Sequence, residues 1–96
     1  MRERDVEKYL VKRAKEFGAE IRKVKWIGRR GAPDRRFMHS ACCCWIELKA
    51  PGEKLEPHQE REIKLMQKHD ETVWVLSNIE EVDHFYEILS RLAWLS

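Results

Sequence analysis

The segment Cys42 to Lys49, CCCWIELK, constrains the fold more than any other stretch of the chain. In an extended backbone, neighbouring side chains point to opposite faces. Cys44, Ile46 and Leu48 therefore share one face, and Glu47 and Lys49 share the other. A strand built this way lays its apolar face on a core and carries a carboxylate and an ammonium, two residues apart, on its reverse. The run before it, DRRFMHS, reads as a second strand, and the two form an antiparallel hairpin turning at Ser40 and Ala41. With the turn centred there, positions 34 and 47 lie equally far from it, so the register sets Asp34 opposite Glu47.

The remaining periodicities surround this hairpin with helices. Residues 3 to 17 place Val6, Leu10, Ala14 and Phe17 at helical spacing, and Gly18 is a suitable stop. Glu3 and Glu7 lie one turn apart on that helix, Glu7 at the margin of the apolar stripe. Residues 21 to 27, IRKVKWI, lie between glycines and carry β-branched and aromatic residues, which predicts a strand. After the loop APGEKLE, Pro57 opens a helix to about His69, with Gln59, Ile63 and Met66 on one face. Residues 72 to 77, TVWVLS, are nearly all apolar and suit a strand buried on both sides. Asn78 then caps a final helix, with Glu81 in the capping-box position and a stripe of Val82, Phe85, Tyr86, Leu89, Leu92 and Ala93. The order α-β-β-β-α-β-α predicts an α/β fold, a mixed β-sheet flanked by helices. Ninety-six residues suffice for one domain, 1–96, and not for two.

Apolar residues form 43% of the chain and charged residues 38%, which fits a globular domain with a highly charged surface. No run approaches the roughly 20 apolar residues of a membrane span, and Met1 leads into RERD, so a soluble, cytoplasmic protein is expected. The three consecutive cysteines, Cys42, Cys43 and Cys44, cannot readily pair with one another and show no zinc spacing. They are expected to be reduced.

The net charge of +2 conceals two halves of opposite sign. Residues 1 to 49 hold fourteen Lys and Arg against seven Asp and Glu; residues 50 to 96 hold five against ten. Between Arg22 and Arg36 there are seven basic residues and a single acid, Asp34. Concentrated positive charge binds phosphate backbones by releasing counterions. Lys25, Arg29, Arg30, Arg35 and Arg36 are thus candidates for holding DNA, the bland alternative being a solvated face.

An acid amid those arginines weakens any simple grip on an anion, and Asp34 opposite Glu47 adds repulsion between like charges. A hard divalent cation resolves both. Mg²⁺ takes oxygen ligands and keeps several waters, so one or two carboxylates suffice. Asp34 and Glu47 are then metal ligands beside a phosphodiester held by the arginines. Lys49 is placed to orient water or to stabilise charge developing on the phosphate. Glu7 could add a ligand from the first helix.

These residues fit a known pattern. GAPDRR, followed by WIELKAPG and then EPHQ, resembles the VRR-NUC nucleases, a branch of the PD-(D/E)xK phosphodiesterases, and the likeness is to small phage and bacterial stand-alone members. The resemblance spans nearly the whole chain and implies a restriction-endonuclease-like core. It matches Asp34 to the motif aspartate, Glu47 and Lys49 to E-x-K, Gln59 to the glutamine that follows, and Glu7 to a helix glutamate, with Glu3 the weaker candidate for that role. It implies Mg²⁺- or Mn²⁺-dependent DNA cleavage, the Leu48 carbonyl as a further metal ligand, and homodimers acting on branched DNA such as four-way junctions. HSACCCW departs from the glycine-containing turn that relatives often carry.

Taken singly, E-x-K and Pro-Asp are common in charged chains; their combination with the strand-length gap and the helix glutamine carries the assignment. Gln59 has an alternative role as a helix-start cap, and Glu7 as a solvated helix residue. Four histidines, His39, His58, His69 and His84, are scattered and expected to have no ligand role. Trp94, near the C-terminus, is a candidate dimer contact. The competing reading of the whole is a binding module of the same fold that recognises branched DNA without cutting it.

Overall fold

The structure is a computed structural model and describes residues 1–95. Helix α1 (Glu3–Phe17) leads into strand β1 (Glu20–Lys23), the hairpin β2 (Arg35–His39) and β3 (Cys42–Leu48), helix α2 (Pro57–Lys68), strand β4 (Val73–Leu76) and helix α3 (Ile79–Leu95). The predicted order is the observed one. The strands form one sheet in the order β1-β2-β3-β4, antiparallel except for the parallel pair β3 and β4. This is the mixed α/β sheet flanked by helices that the sequence predicts.

Val6, Leu10 and Ala14 recur every four residues along α1 and are all buried. Their stripe meets the sheet face formed by Phe37, Cys44, Ile46, Leu48 and Leu76, together with Val82, Phe85, Tyr86 and Leu89 of α3. Full burial of each large apolar side chain contributes about 1.5–3 kcal/mol, so this layer is the main source of stability. Phe37 meets Phe85 edge-on, with ring centroids 5.1 Å apart. The Tyr86 hydroxyl, which has no access to water, donates to the Leu10 carbonyl at 2.7 Å and so ties α3 to α1. Gly18 ends α1 in the left-handed conformation at φ 81°, and the Ala19 amide reaches back to the Ala14 carbonyl at 2.9 Å.

Helix α2 covers the opposite face of the sheet, and its buried residues, Glu62, Ile63 and Met66, lie outside the main core cluster. Gln59 at its start reaches Glu47 on β3. The chain thus has two helices, α1 and α3, against one face of the sheet and a single helix, α2, over the reverse.

Two strands differ from expectation. β1 ends at Lys23 rather than residue 27, because its ladder with β2 closes at the pair Lys23 and Arg35. One further bond, from the Val24 amide to the Asp34 carbonyl at 2.9 Å, joins the two arms before they part into a loop. β4 is the outer strand of the sheet rather than one buried on both sides; Leu76 is buried but Val75 is 37% exposed. An apolar run looks the same in either position.

Asn78 caps α3 as expected, accepting from the Glu81 amide at 2.7 Å. Glu81 itself turns back to the amide and hydroxyl of Ser77. The three cysteines are free thiols. Among the described residues, no helix is long and apolar enough to cross a membrane.

Candidate active site

The hairpin sets the geometry. His39 pairs with Cys42 and Arg35 with Ile46, so the turn consists of Ser40 and Ala41, with the Ala41 amide donating to His39 Nδ1 at 3.0 Å. One step beyond Arg35 and Ile46 the same register sets Asp34 opposite Glu47, at the end of the sheet where β2 begins. Glu47 and Lys49 emerge on the face covered by α2, and both are largely buried, 9% and 8% exposed. Asp34 remains about half exposed and lines a cleft of about 500 Å³ with Lys23, Lys25, Trp26 and Arg29.

Burial is the largest influence on Glu47 and pushes its carboxyl up to about 7 from an ordinary 4.5. Lys49 pulls it back down, Asp34 and Glu3 push it further up, and Arg35 opposes them. The carboxyl sits in a confined place beside two other acids and is only partly offset by two cations. Gln59 serves two ends at once. Its side-chain oxygen accepts from the Glu56 amide at 2.9 Å, capping α2, and its Nε2 donates to Glu47 Oε2 at a long 3.4 Å. The two roles foreseen for it are compatible.

Arg35 is the largest departure from expectation. As a surface contact to DNA it would need to be free, yet its side chain is 11% exposed and lies between two carboxylates. Nη2 donates to Glu7 of α1 in a tight ion pair. Nη1 lies 2.6 Å from Asp34 Oδ1, an electrostatic contact without hydrogen-bond alignment. Arg35 faces the α1 side because its strand partner is Ile46, a core residue. It therefore holds site carboxylates in place rather than phosphates. Glu7 is correspondingly engaged, and Glu3, one turn earlier, is the α1 carboxylate whose charge reaches Glu47.

The other basic residues are distributed unevenly. Arg29 is half exposed and donates through Nε to Glu62 at 2.7 Å. Arg36 lies over the Trp45 ring, 5.0 Å from its centroid. Lys25 and Arg30 are exposed. Glu62, buried and pinning the basic loop to α2, is a residue of this neighbourhood that the sequence did not single out. Its position on the same helix face as Gln59, Ile63 and Met66 is the signal that could have found it.

The donor set suits a hard divalent cation. Asp34, just before β2, and Glu47 of β3 offer carboxylate oxygens, and Leu48 ends β3 between Glu47 and Lys49. A bound cation would offset the burial, and the lesser repulsion from Asp34 and Glu3, that raise the Glu47 carboxyl. Among the described residues no three His, Cys, Asp or Glu side chains are gathered into a ready cage. Mg²⁺, which fills its octahedron largely with water, requires only one or two such ligands.

The same architecture occurs in other proteins. No family model matches the sequence. The chain is 41% identical over 63 residues to a protein of Acyrthosiphon pisum secondary endosymbiont phage 1 that carries the name "Putative nuclease p44", an overlap of 65% of this chain and 68% of that one. A solved structure described as a VRR_NUC domain matches with a TM-score of 0.80 and 32% identity, over 88% of this chain and 94% of its own. By sequence, sheet topology and fold, this chain belongs to the VRR-NUC nuclease family.

Proposed function

We propose that the protein is an Mg²⁺- or Mn²⁺-dependent endonuclease that hydrolyses DNA phosphodiester bonds, selects branched DNA such as a four-way junction, and works as a homodimer. What supports this reading is that Asp34, one residue before β2, acts electrostatically on Glu47 of the neighbouring strand, with Lys49 two residues on, in a place where a lone carboxylate is disfavoured. Asp34 and Glu47, with the Leu48 carbonyl, would hold the cation. Glu3 contributes charge from α1, and Glu7 acts through Arg35, which steadies Asp34.

When bound, the cation lowers the pKa of a water and neutralises charge on the scissile phosphate. Lys49, near Glu47 and shielded from solvent, orients an attacking water or stabilises the phosphate oxygens as charge grows on them. Gln59 keeps the Glu47 carboxylate in one orientation. In the reaction, the water oxygen bonds to phosphorus and gives up a proton, one ester P–O bond breaks, and the leaving oxygen takes up a proton, so that a phosphomonoester and a free hydroxyl remain. Lys25, Arg29, Arg30 and Arg36 hold the backbone; Arg35 belongs to the site's internal scaffold.

One chain supplies one centre, so symmetric cutting of a junction needs two copies related by a two-fold axis. The exposed Leu92, Trp94 and Leu95 at the end of α3 support such pairing. Free thiols at Cys42, Cys43 and Cys44 suit a cytoplasmic setting. The test is incubation with labelled four-way junction and with duplex, in Mg²⁺, Mn²⁺ or EDTA. Cleavage that disappears in EDTA, in Asp34→Ala and in Lys49→Ala while binding persists supports the proposal. Binding without cutting in any metal overturns it in favour of a recognition module. Light scattering that finds only monomer at micromolar concentration counts against the dimer.

A further inference from the structure

Ile27 is the most exposed large apolar residue among the described residues, at 92%. A β-branched aliphatic side chain wholly in water on an otherwise ordered loop gains nothing by folding. Its surroundings are strongly basic. Lys25, Arg29 and Arg30 are exposed on the same loop, and the two chain neighbours of Ile27 line two clefts of similar size. Trp26, just before Ile27, lines the cleft that contains Asp34, together with Lys23 and Lys25. Gly28, just after it, lines the other, with Arg30, His58 and Arg61. Ile27 therefore stands in the chain between residues that line two different clefts, each with more basic than acidic side chains.

The loop is fastened at its base. Trp26 donates from its indole nitrogen to the Pro33 carbonyl at 2.8 Å and packs on Trp45, with centroids 5.0 Å apart. Arg29 is pinned to Glu62. A Cβ at Gly31, where φ is +89°, would come within 2.7 Å of the His58 carbonyl oxygen, so loop and helix are in direct contact there. Trp26 is engaged by these contacts and serves as the foot of the loop. The side chain left free at the crest is Ile27.

We propose that Ile27 is a wedge that enters a nucleic-acid stack at a discontinuity, such as a junction branch point or an unpaired step, while the two basic clefts hold the backbones that diverge on either side. Small aliphatic residues inserted between base steps unstack them, and a continuous helix resists this more than an interrupted one. The wedge would thereby supply preference for branched over continuous DNA, with the scissile phosphate delivered to Asp34 in the adjoining cleft. The inference rests on the nuclease reading, and it names the element by which that centre recognises its substrate.

The experiment uses a four-way junction and a matched duplex, each with one 2-aminopurine, at the branch point in the first and mid-helix in the second. Binding is measured in Ca²⁺, and cutting separately in Mg²⁺. Wild type should raise the branch-point fluorescence and prefer the junction. Ile27→Ala should lose the rise and about tenfold of that preference, the effect of withdrawing a few buried methyl groups. Its duplex affinity should stay within about twofold, because the phosphate contacts remain. Ile27→Leu should restore both signals. At a side chain this exposed, folding is unaffected, and circular dichroism of each variant checks it. Unchanged fluorescence and preference in Ile27→Ala overturn the wedge while leaving cleavage intact. Loss of both signals in Ile27→Ala, with no cutting by wild type in any metal, supports the wedge and overturns the nuclease reading instead. An apolar crest that dimerises the protein, rather than meeting DNA, would show as a monomer for Ile27→Ala in sedimentation and would also overturn it.

Discussion

Removing the charge of Glu47 should stabilise the cation-free protein, and only at high pH. A carboxyl that titrates at about 7 in the folded chain and at an ordinary 4.5 in the unfolded one binds more protons when folded throughout that interval. Stability therefore falls as pH rises from 4.5 through 7, and the cost is complete above it. At about 1.36 kcal/mol per pH unit, the difference amounts to about 3 kcal/mol. Glu47→Gln keeps the shape and the polar contact with Gln59 but cannot ionise. Allowing for Lys49, which loses a partner, the variant should exceed wild type by about 1–3 kcal/mol at pH 8.5 and by under about 0.5 kcal/mol at pH 4.5. Urea unfolding in EDTA at the two pH values measures this directly. Adding Mg²⁺ at pH 8.5 should then stabilise wild type and leave the variant unmoved, since only a folded-state ligand shifts the transition. A variant no more stable than wild type at pH 8.5, or shifted equally at both pH values, refutes the idea that this carboxylate is strained for want of a cation.

Glu3 and Glu7 of α1 should separate by assay. Glu7→Ala leaves Arg35 short of a partner and should lower urea stability by about 1–3 kcal/mol. Glu3→Ala should leave stability within about 0.5 kcal/mol but raise the Mg²⁺ concentration needed for cleavage; the reverse pattern would assign the cation to Glu7. Gly31→Ala should cost about 2 kcal/mol or more in thermal unfolding, because its Cβ meets backbone at 2.7 Å. Gly28→Ala, whose Cβ meets nothing within 4 Å, should cost only the left-handed backbone penalty, about 1–2 kcal/mol. Arg30→Ala should reduce the slope of log K against log salt for duplex DNA by about 0.9, measured by fluorescence anisotropy, whereas an unchanged slope would remove Arg30 from the backbone contacts.

Much of the site could be read from the chain because it depends on counting. The alternation in CCCWIELK puts Cys44, Ile46 and Leu48 in the core, as observed, and symmetry about Ser40 and Ala41 gives the hairpin register, whose last rung, Arg35 with Ile46, lies one step from Asp34 and Glu47. What could not be read depends on contacts between elements distant in sequence. Arg35, flanked by Asp34 and Arg36, has the local look of a surface residue. Its burial follows from the passage of α1 over that end of the sheet, which places Glu7 on its guanidinium. Glu62 likewise acquires its purpose only when the loop carrying Arg29 folds back on α2. The end of β1 and the exposed side of β4 were hidden for a related reason: the composition of a strand reports its apolar content, and its neighbours are set by topology.

The two-residue connection at Ser40 and Ala41 lies five rungs of the ladder away from the acids, on the far tip of the hairpin. One amino acid added there would slip every rung by a single place. Asp34 would lose its opposite number, or Glu47 would rotate into the oily layer beneath α1 and α3. A surface bend with no chemistry of its own thus acts as a ruler for the molecule. Laboratory insertions should be tolerated in the stretch from Ala50 to Glu56, where no strand is counting, and rejected at this one remote corner.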